Sequence, residues 1–277
     1  MVSIDLLDKM LENTDKSSTE LLQDVLELIK KLINKKLTEN EFRALLKEII
    51  IHLFEKRKDL VVFSYVGTKI EEISNINSQY GSKKTIKSIY EFFDKLSGIN
   101  KETVDHGSQY LLEQKDIEKI ITISYSKIVL NIIKNTKVKT VYVCESRPKN
   151  EGLRFAQDLL IETKGIEVVL LPDALGPKVL LEKADAVVLG MDAWFMDNSI
   201  SNKIGSFSLA LTANYIHKPV IIVGNMLKKV NYLPELYKQQ NFTEELKKSY
   251  PKVHENLAYF NEYFDIVPSN LITKIIE

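Results

Sequence analysis

One cysteine, Cys144, is all that the 277 residues carry, so no intramolecular disulfide can form and a reducing compartment is expected. Charge of either sign is also not in excess. With 38 basic and 38 acidic residues, the chain has no global electrostatic pull toward nucleic acid or anionic lipid. No apolar run approaches the roughly 18 residues that a membrane span needs. The amino terminus, MVSIDLLDKM, lacks the apolar core of a signal peptide. The expectation is a cytoplasmic protein with no membrane partner and no direct nucleic-acid partner. No GxGxxG or GxxxxGK[ST] segment opens a helix, so the usual dinucleotide and P-loop signatures are missing. The four histidines, His52, His106, His217 and His254, show no metal-ligand spacing, and neither a metal nor a cofactor is expected. No internal repeat or low-complexity linker interrupts the chain.

What is present is the composition of a globular protein, 44% hydrophobic and 27% charged. Ser17 and Glu20 form a capping box ahead of Leu21, Leu22, Val25, Leu26, Ile29, Leu32 and Ile33, which predicts an amphipathic helix over residues 18 to 36. Thr38 and Glu41 repeat the signature before a second helix ending near Arg57. A third pattern, Ile86 to Leu96, is expected to stop at Gly98 as a C-cap, and residues 102 to 115 keep helical character. From about Ile117, short apolar runs (120 to 124, 140 to 144, 166 to 171, 186 to 189, 220 to 223) alternate with helical patterns. That alternation predicts βαβ units and right-handed crossovers. The fold class is therefore α/β: a helical domain over residues 1–115, then a Rossmann-like, mostly parallel doubly wound sheet over 116–277 that would carry ligand binding and dimerisation. The tail, YFDIVPSNLITKIIE, reads as a strand, a break at Pro268 and a short helix.

The stretch from Ala184 to Gly224 reads as strand, polar loop, helix and strand. Loops at the carboxyl ends of such strands are where ligands bind, which draws attention to Asp192, Asn202 and Lys203. Asp192 can contact a ligand, or cap the next turn or pair with Lys203. Asn202 and Lys203 can be a helix cap and first turn, and a helix start is itself an anion site. Arg147 can bind phosphate through paired donors or form a salt bridge. Cys144, inside the run VYVC, reads as a buried strand residue.

Four segments, VYVCESRPKNEG (141 to 152), LPDALGPKVLLEKADAVVLGMD (171 to 192), SNKIGSFSLALTA (201 to 213) and FDIVPSNLITKIIE (264 to 277), resemble in order and spacing the alpha/beta/delta subunit family of translation initiation factor 2B. That family also holds methylthioribose-1-phosphate isomerase and ribose-1,5-bisphosphate isomerase. The resemblance implies a helical domain on a Rossmann-like one, a homodimer or higher oligomer, and a site for a phosphorylated sugar or nucleotide. It implies phosphate or ligand contacts from Arg57, Arg147, Asn202, Lys203 and Lys228, and a catalytic role for Asp192 if the protein is an enzyme. Initiation factor 2 subunits are implied as partners.

The chain also departs from the isomerase pattern. Where those enzymes carry a cysteine in a THCHS-like turn, this sequence reads TISYS, with Ser124 at the cysteine position. Their Arg-Gly-rich amino-terminal loop is not recognisable, and the chain stops short of the family's Gly-Ile-Pro-Pro segment. A serine hydroxyl needs a neighbouring base to cycle protons, and Tyr125 is the only candidate adjacent in sequence. The expected function is a non-catalytic, regulatory initiation factor 2B-like protein binding a sugar phosphate or nucleotide. The alternative is an aldose-1-phosphate to ketose-1-phosphate isomerase, and a third is an interaction protein with a vestigial site.

Overall fold

The computed structural model describes the chain apart from residues 1–3, 13–15, 57–59, 78–79, 238–242, 244–245 and 248–255 and the side chains of Ser97 and Leu236. It divides into two compact units, Met1–Glu102 and Thr103–Glu277. In the first, α1 (Ile4–Leu11), α2 (Ser18–Ile33), α3 (Glu39–Glu55) and α4 (Val61–Ile76) precede the long α5 (Ser82–Glu113), which runs on into the second unit. Both capping boxes form as the sequence specifies: Ser17 and Thr38 accept from the N3 backbone, and Glu20 and Glu41 reach back to the cap residues. Burial follows the helical period, with Val25, Ile29, Leu32 and Ile33 of α2 and Ile49 and Leu53 of α3 fully enclosed.

The expected stop at Gly98 is wrong: α5 passes through it. Glycine inside a helix costs only about 1 kcal/mol against alanine. Gly98 does not adopt a left-handed conformation, and the apolar positions on either side of it, Phe93 and Leu96 before and Leu111 after, are buried. The helix therefore continues at a modest local cost.

In the second unit β1 (Lys119–Thr122), β2 (Thr140–Cys144), β3 (Glu167–Leu171), β4 (Ala186–Leu189), β7 (Val220–Val223) and β9 (Lys274–Ile276) form a parallel sheet in the order β3-β2-β1-β4-β7-β9. The strands alternate between two cores, as a doubly wound sheet requires. Ile120, Val141, Val143, Val188 and Ile221 face α6 (Lys127–Lys134) and α7 (Glu151–Glu162), through Val129, Ile133, Phe155 and Leu159. Ile121, Tyr142, Cys144, Val187 and Ile222 face α8 (Gly176–Glu182) and α9 (Ser206–Tyr215), through Leu180, Leu209 and Ala213.

Two parts of the sequence reading are corrected here. The last residues are a strand, not a helix: after a single 3-10 turn at Ser269–Leu271, β9 pairs in parallel with β7. The β-branched Ile275 and Ile276 suit that edge position, where the backbone gains a ladder partner. The stretch before α9 is not only loop. Within it β5 (Ala193–Trp194) and β6 (Ile200–Lys203) form a small antiparallel sheet with β8 (Phe264–Val267). Asn202 and Lys203 thus end a strand, two residues short of the Gly205 cap of α9.

Candidate functional site

The winding of the sheet reverses between β1 and β4, and the crevice outside the carboxyl ends at such a switch point is the usual ligand position in open α/β folds. Ser124 follows β1, Ser146 and Glu151 follow β2, Asp192 follows β4 and Lys228 follows β7. All of them therefore stand at the carboxyl edge of the sheet.

Ser124 adopts a left-handed backbone, φ 78°, as does Ser146 at φ 68°. Non-glycine residues persist there only where surrounding contacts hold them, and these contacts are visible. The Ser124 amide donates to Ser146 Oγ at 2.7 Å, and that hydroxyl donates to the Cys144 carbonyl at 2.9 Å. The amides of Ser146 and Arg147 each donate to a different oxygen of Asp173, both at 2.7 Å. Asp173 thereby ties the turn after β2 to the one after β3, and Ser146 ties it to the turn after β1.

Glycine is required at 152. A Cβ there would lie 1.9 Å from the Cys144 carbonyl oxygen, so α7 can start this close to β2 only without one. The close start delivers Glu151, the first residue of α7, into the crevice. Its Oε1 stands 2.6 Å from Lys203 Nζ, and the hydroxyls of Ser124 and Tyr263 point to it at 3.4 and 3.5 Å. Lys203 is 1% exposed, and its ammonium also lies 3.3 Å from the centre of the Tyr263 ring, a cation–π contact. Burial pushes the Glu151 carboxyl above its usual range and the Lys203 ammonium below its own; their mutual attraction works against both shifts. Lys203 Nζ is paired with Glu151 Oε1, whereas Glu151 Oε2 and Ser201 Oγ are buried polar atoms lacking a hydrogen-bond partner among the described residues.

Asp192 lies within electrostatic reach of both Lys203 and Lys228 and favours the charged form of each. The Asp192 amide donates to the Ser201 carbonyl at 2.7 Å, which docks the turn after β4 onto β6. Lys228 donates to the Met191 carbonyl, and burial pushes its ammonium down. Asn202 bonds locally, its Nδ2 donating to Ser206 Oγ at 2.9 Å at the start of α9. The first turn of α9 is not an open anion site either, because Asp265 Oδ2 accepts from the amides of Gly205 at 2.6 Å and Phe207 at 3.0 Å.

The structure thus brings Ser124, Asp192, Lys203 and Lys228 to one edge. Arg147 is exposed, and its guanidinium makes no ion pair or hydrogen bond among the described residues. Arg57 lies outside the described residues. Tyr125, the neighbour in sequence, does not serve Ser124; its hydroxyl donates to Asp158 at 2.7 Å and its ring packs edge-on against Phe155. The carboxylate that does stand beside Ser124, Glu151, was missed by sequence reasoning, as was Tyr263. Glu151 opens a helix next to the ESRP segment, where an acidic residue reads as an ordinary partner of the helix dipole. Only the clash that Gly152 avoids reveals how far into the crevice that helix start reaches.

Cys144 is fully buried in β2, and burial, reinforced by Asp173 and Glu145, pushes its thiol up to about 12. Native protein at pH 8 is expected to leave a thiol-specific reagent unreacted over hours and to react with one equivalent once unfolded. Rapid labelling of the native protein would show that the β2 end opens readily.

A model of the initiation factor 2 subunit family matches residues 8–277. The chain belongs to that family. Among family relatives, a methylthioribose-1-phosphate isomerase of Trichoplax adhaerens is 26% identical over 281 aligned residues, covering 91% of this chain and 77% of that protein. A ribose 1,5-bisphosphate isomerase of Methanocaldococcus jannaschii is 25% identical over 246 residues, covering 87% and 77%. The match to methylthioribose-1-phosphate isomerase 1 of Pseudothermotoga lettingae, 28% identical, spans 64% of this chain but only 56% of that enzyme. In fold, this family member is similar to the Pyrococcus horikoshii OT3 translation initiation factor eIF-2B, with a TM-score of 0.82 at 22% identity over 99% of this chain and 94% of that one. The 5-methylthioribose 1-phosphate isomerase of the same organism follows, with a TM-score of 0.77 at 18% identity over 99% and 82%.

Proposed function

We propose that the chain binds a phosphorylated sugar or nucleotide at the carboxyl edge of its parallel sheet and works as a regulatory, initiation factor 2B-like protein rather than as a catalyst. The observation that carries this reading is the pair of lysines, Lys203 buried and Lys228 half-buried, within reach of Asp192 and beside a turn that presents a serine hydroxyl in place of a thiol. Polar groups held at the switch point, without a group that titrates near neutrality at position 124, suit binding better than proton shuttling. Lys228 and the exposed Arg147 are the proposed phosphate contacts. A cytoplasmic homodimer or larger assembly with initiation factor 2 subunits as partners completes the proposal. It is supported by the family and by a likeness in fold to the tetrameric eIF2B-beta2-delta2 complex of C. thermophilum, TM-score 0.79 at 18% identity.

The test is a thermal-shift screen with ribose 1-phosphate, ribose 1,5-bisphosphate, methylthioribose 1-phosphate and AMP, because a ligand of the native state raises its stability, by about 2.7 kcal/mol at a hundredfold excess over Kd. At least one sugar phosphate or nucleotide is expected to raise the melting temperature, and Lys228→Met to remove that response. No response to any of them would end the ligand-binding reading.

A second reading, aldose-phosphate isomerisation, is favoured by one observation: Glu151, a carboxyl raised by burial, stands 3.4 Å from the Ser124 hydroxyl. The relatives named as isomerases make it the specific alternative. It predicts ketose formation from ribose 1,5-bisphosphate or methylthioribose 1-phosphate at high protein concentration, abolished in Asp192→Asn. Absence of turnover on both substrates would remove it.

A further inference from the structure

The start of α5 breaks a local rule. A helix N-terminus carries partial positive charge and favours acidic side chains in its first turn, yet this helix of 32 residues opens Ser82-Lys83-Lys84 with no acidic residue in that turn. Both lysines are exposed, and neither makes an ion pair among the described residues. Like charges are thus held where the helix is least able to accept them, and departures of this kind from local consistency collect at functional sites.

Packing brings more positive charge to the same place. The Glu39 carboxylate at the start of α3 accepts from the Ser82 amide at 2.9 Å, and the Tyr90 hydroxyl in the third turn of α5 donates to the Lys30 carbonyl at 3.3 Å in the last turn of α2. The end of α2 and its connection to α3 therefore lie along the first turns of α5, and they bring the exposed Lys31, Lys35 and Lys36. The acidic groups nearby are already engaged: Glu39 also pairs with Arg43, Glu41 closes the capping box with Thr38, and Glu27 pairs with Lys30. Beside the lysines stands a ring open to solvent. Tyr80 is 54% exposed; its amide donates to the Asn77 carbonyl at 2.9 Å, closing the turn ahead of α5, and Lys84 Nζ lies 3.3 Å from the ring centre.

We propose that this end of the helical unit is a docking surface for single-stranded nucleic acid, with Lys31, Lys36, Lys83 and Lys84 on phosphates and Tyr80 as the platform for an unpaired base. The balanced charge of the whole chain, which argued against such a partner, does not oppose it, because the electrostatic footprint is the local patch. Lysines around an exposed ring are the two features that this binding uses: phosphate neutralisation supplies affinity, and any base can stack on an aromatic face. A phosphate seated there also relieves the charge conflict at the start of α5. An anionic membrane fits less well. Of the exposed apolar side chains, Ile76 ends α4 and Tyr80 stands in the turn after it, so the two do not share the apolar helix face that lies in a bilayer interface. The surface belongs to the first unit and does not depend on the sugar-phosphate reading.

The experiment is fluorescence anisotropy of a labelled single-stranded RNA of about twelve nucleotides, a length within the span of such sites, titrated with the full chain. Four phosphate contacts predict a slope of roughly −3 in log K against log salt, so affinity is expected to fall about fiftyfold between about 50 and 200 mM salt. Tyr80→Ala should weaken binding by about fivefold or more at both salt concentrations and leave the slope unchanged. Lys83→Glu combined with Lys84→Glu should weaken it by about tenfold or more and flatten the slope. Acidic residues suit a helix start, so this variant is expected to melt no lower than wild type, and its lost binding is then not lost folding. Lys36→Glu, on the other segment, should weaken binding about fivefold, whereas Lys178→Glu, the same charge change at an exposed position of α8, should stay within about twofold. No binding at the lower salt overturns the proposal. Binding that Tyr80→Ala leaves unchanged, or that duplex RNA competes for equally, overturns the single-strand assignment. Equal competition by poly-glutamate or by vesicles rich in phosphatidylserine overturns it in favour of an acidic protein or a membrane surface.

Discussion

Gly152→Ala is expected to lower the melting temperature by roughly 6–12 °C, from a loss of about 3 kcal/mol or more spread over a unit of this size. The added Cβ would sit 1.9 Å from a backbone oxygen and 2.9 Å from both the Cys144 carbonyl carbon and Ser146 Oγ. A flexible side chain could yield, but the backbone carbonyl that ends β2, a strand paired on both sides, cannot, so α7 has to move away from β2. That movement withdraws Glu151 from Lys203 and Ser124, and disturbs the Ser146 hydroxyl that holds the Ser124 amide. Stability and ligand response should therefore fall together, which calorimetric melting with and without a sugar phosphate would record. A Gly152→Ala protein with unchanged melting temperature would show that the helix start is not constrained as described.

Lys203→Met should be nearly as damaging, and its effect should depend on pH. Methionine fills much of the same volume but leaves the buried Glu151 carboxylate without its cation, and removal of one member of a buried pair costs about 3–5 kcal/mol. The folded Glu151 carboxyl already lies above its unfolded value because of burial, and loss of the Lys203 charge raises it further. A carboxyl raised in the folded state contributes stability that is fully present below its unfolded pKa, about 4.3, and is lost as pH rises through the folded value. The deficit of Lys203→Met against wild type should thus be largest at neutral pH and above, and shrink as pH falls toward about 4.3. Adding Glu151→Gln to the same protein should recover most of it at neutral pH. Urea denaturation at pH 5 and pH 7.5 provides the comparison; a deficit of equal size at both would mean that Glu151 is not carrying an uncompensated charge.

The parts of this protein that were legible in its sequence are those fixed by local chemistry. Capping boxes at Ser17 and Thr38 and the 3.6-residue periods after them marked helices because the interactions span three or four residues. The apolar runs from Ile120 onward marked parallel strands because both faces of such a sheet are buried. The end of α5 was misjudged because a glycine signals a stop only where the backbone turns left-handed, and at Gly98 packing on both sides holds it helical. The last strand was mistaken for a helix because its partner, β7, lies some fifty residues earlier.

Within the site, Asp192, Lys203 and Lys228 stood out through motif resemblance, and the structure adds that they occupy one edge with Ser124. Glu151, Ser201 and Tyr263 gave no comparable signal. Their part in the cluster depends on a helix start pressed against β2, on the pairing of β6 with β8, and on a ring laid over an ammonium. The last two relate segments some sixty residues apart, and the first, though close in sequence, is a backbone approach that no residue pattern announces. Asn202 and the start of α9 show the reverse case. Both had the right character for an anion site, yet Asp265 already accepts from the amides at the start of α9, and Asn202 bonds to Ser206 within that same turn.

The central claim is that the carboxyl edge of the sheet is a place to bind a phosphorylated ligand rather than a place to transform it. The most direct measurement is a phosphorus NMR spectrum of ribose 1,5-bisphosphate with an equimolar amount of protein, followed over hours. The account predicts a shifted or broadened resonance that persists unchanged, and a resonance at its free position when Lys228→Met replaces the wild type. Conversion of the substrate resonance into that of a ketose phosphate would contradict it.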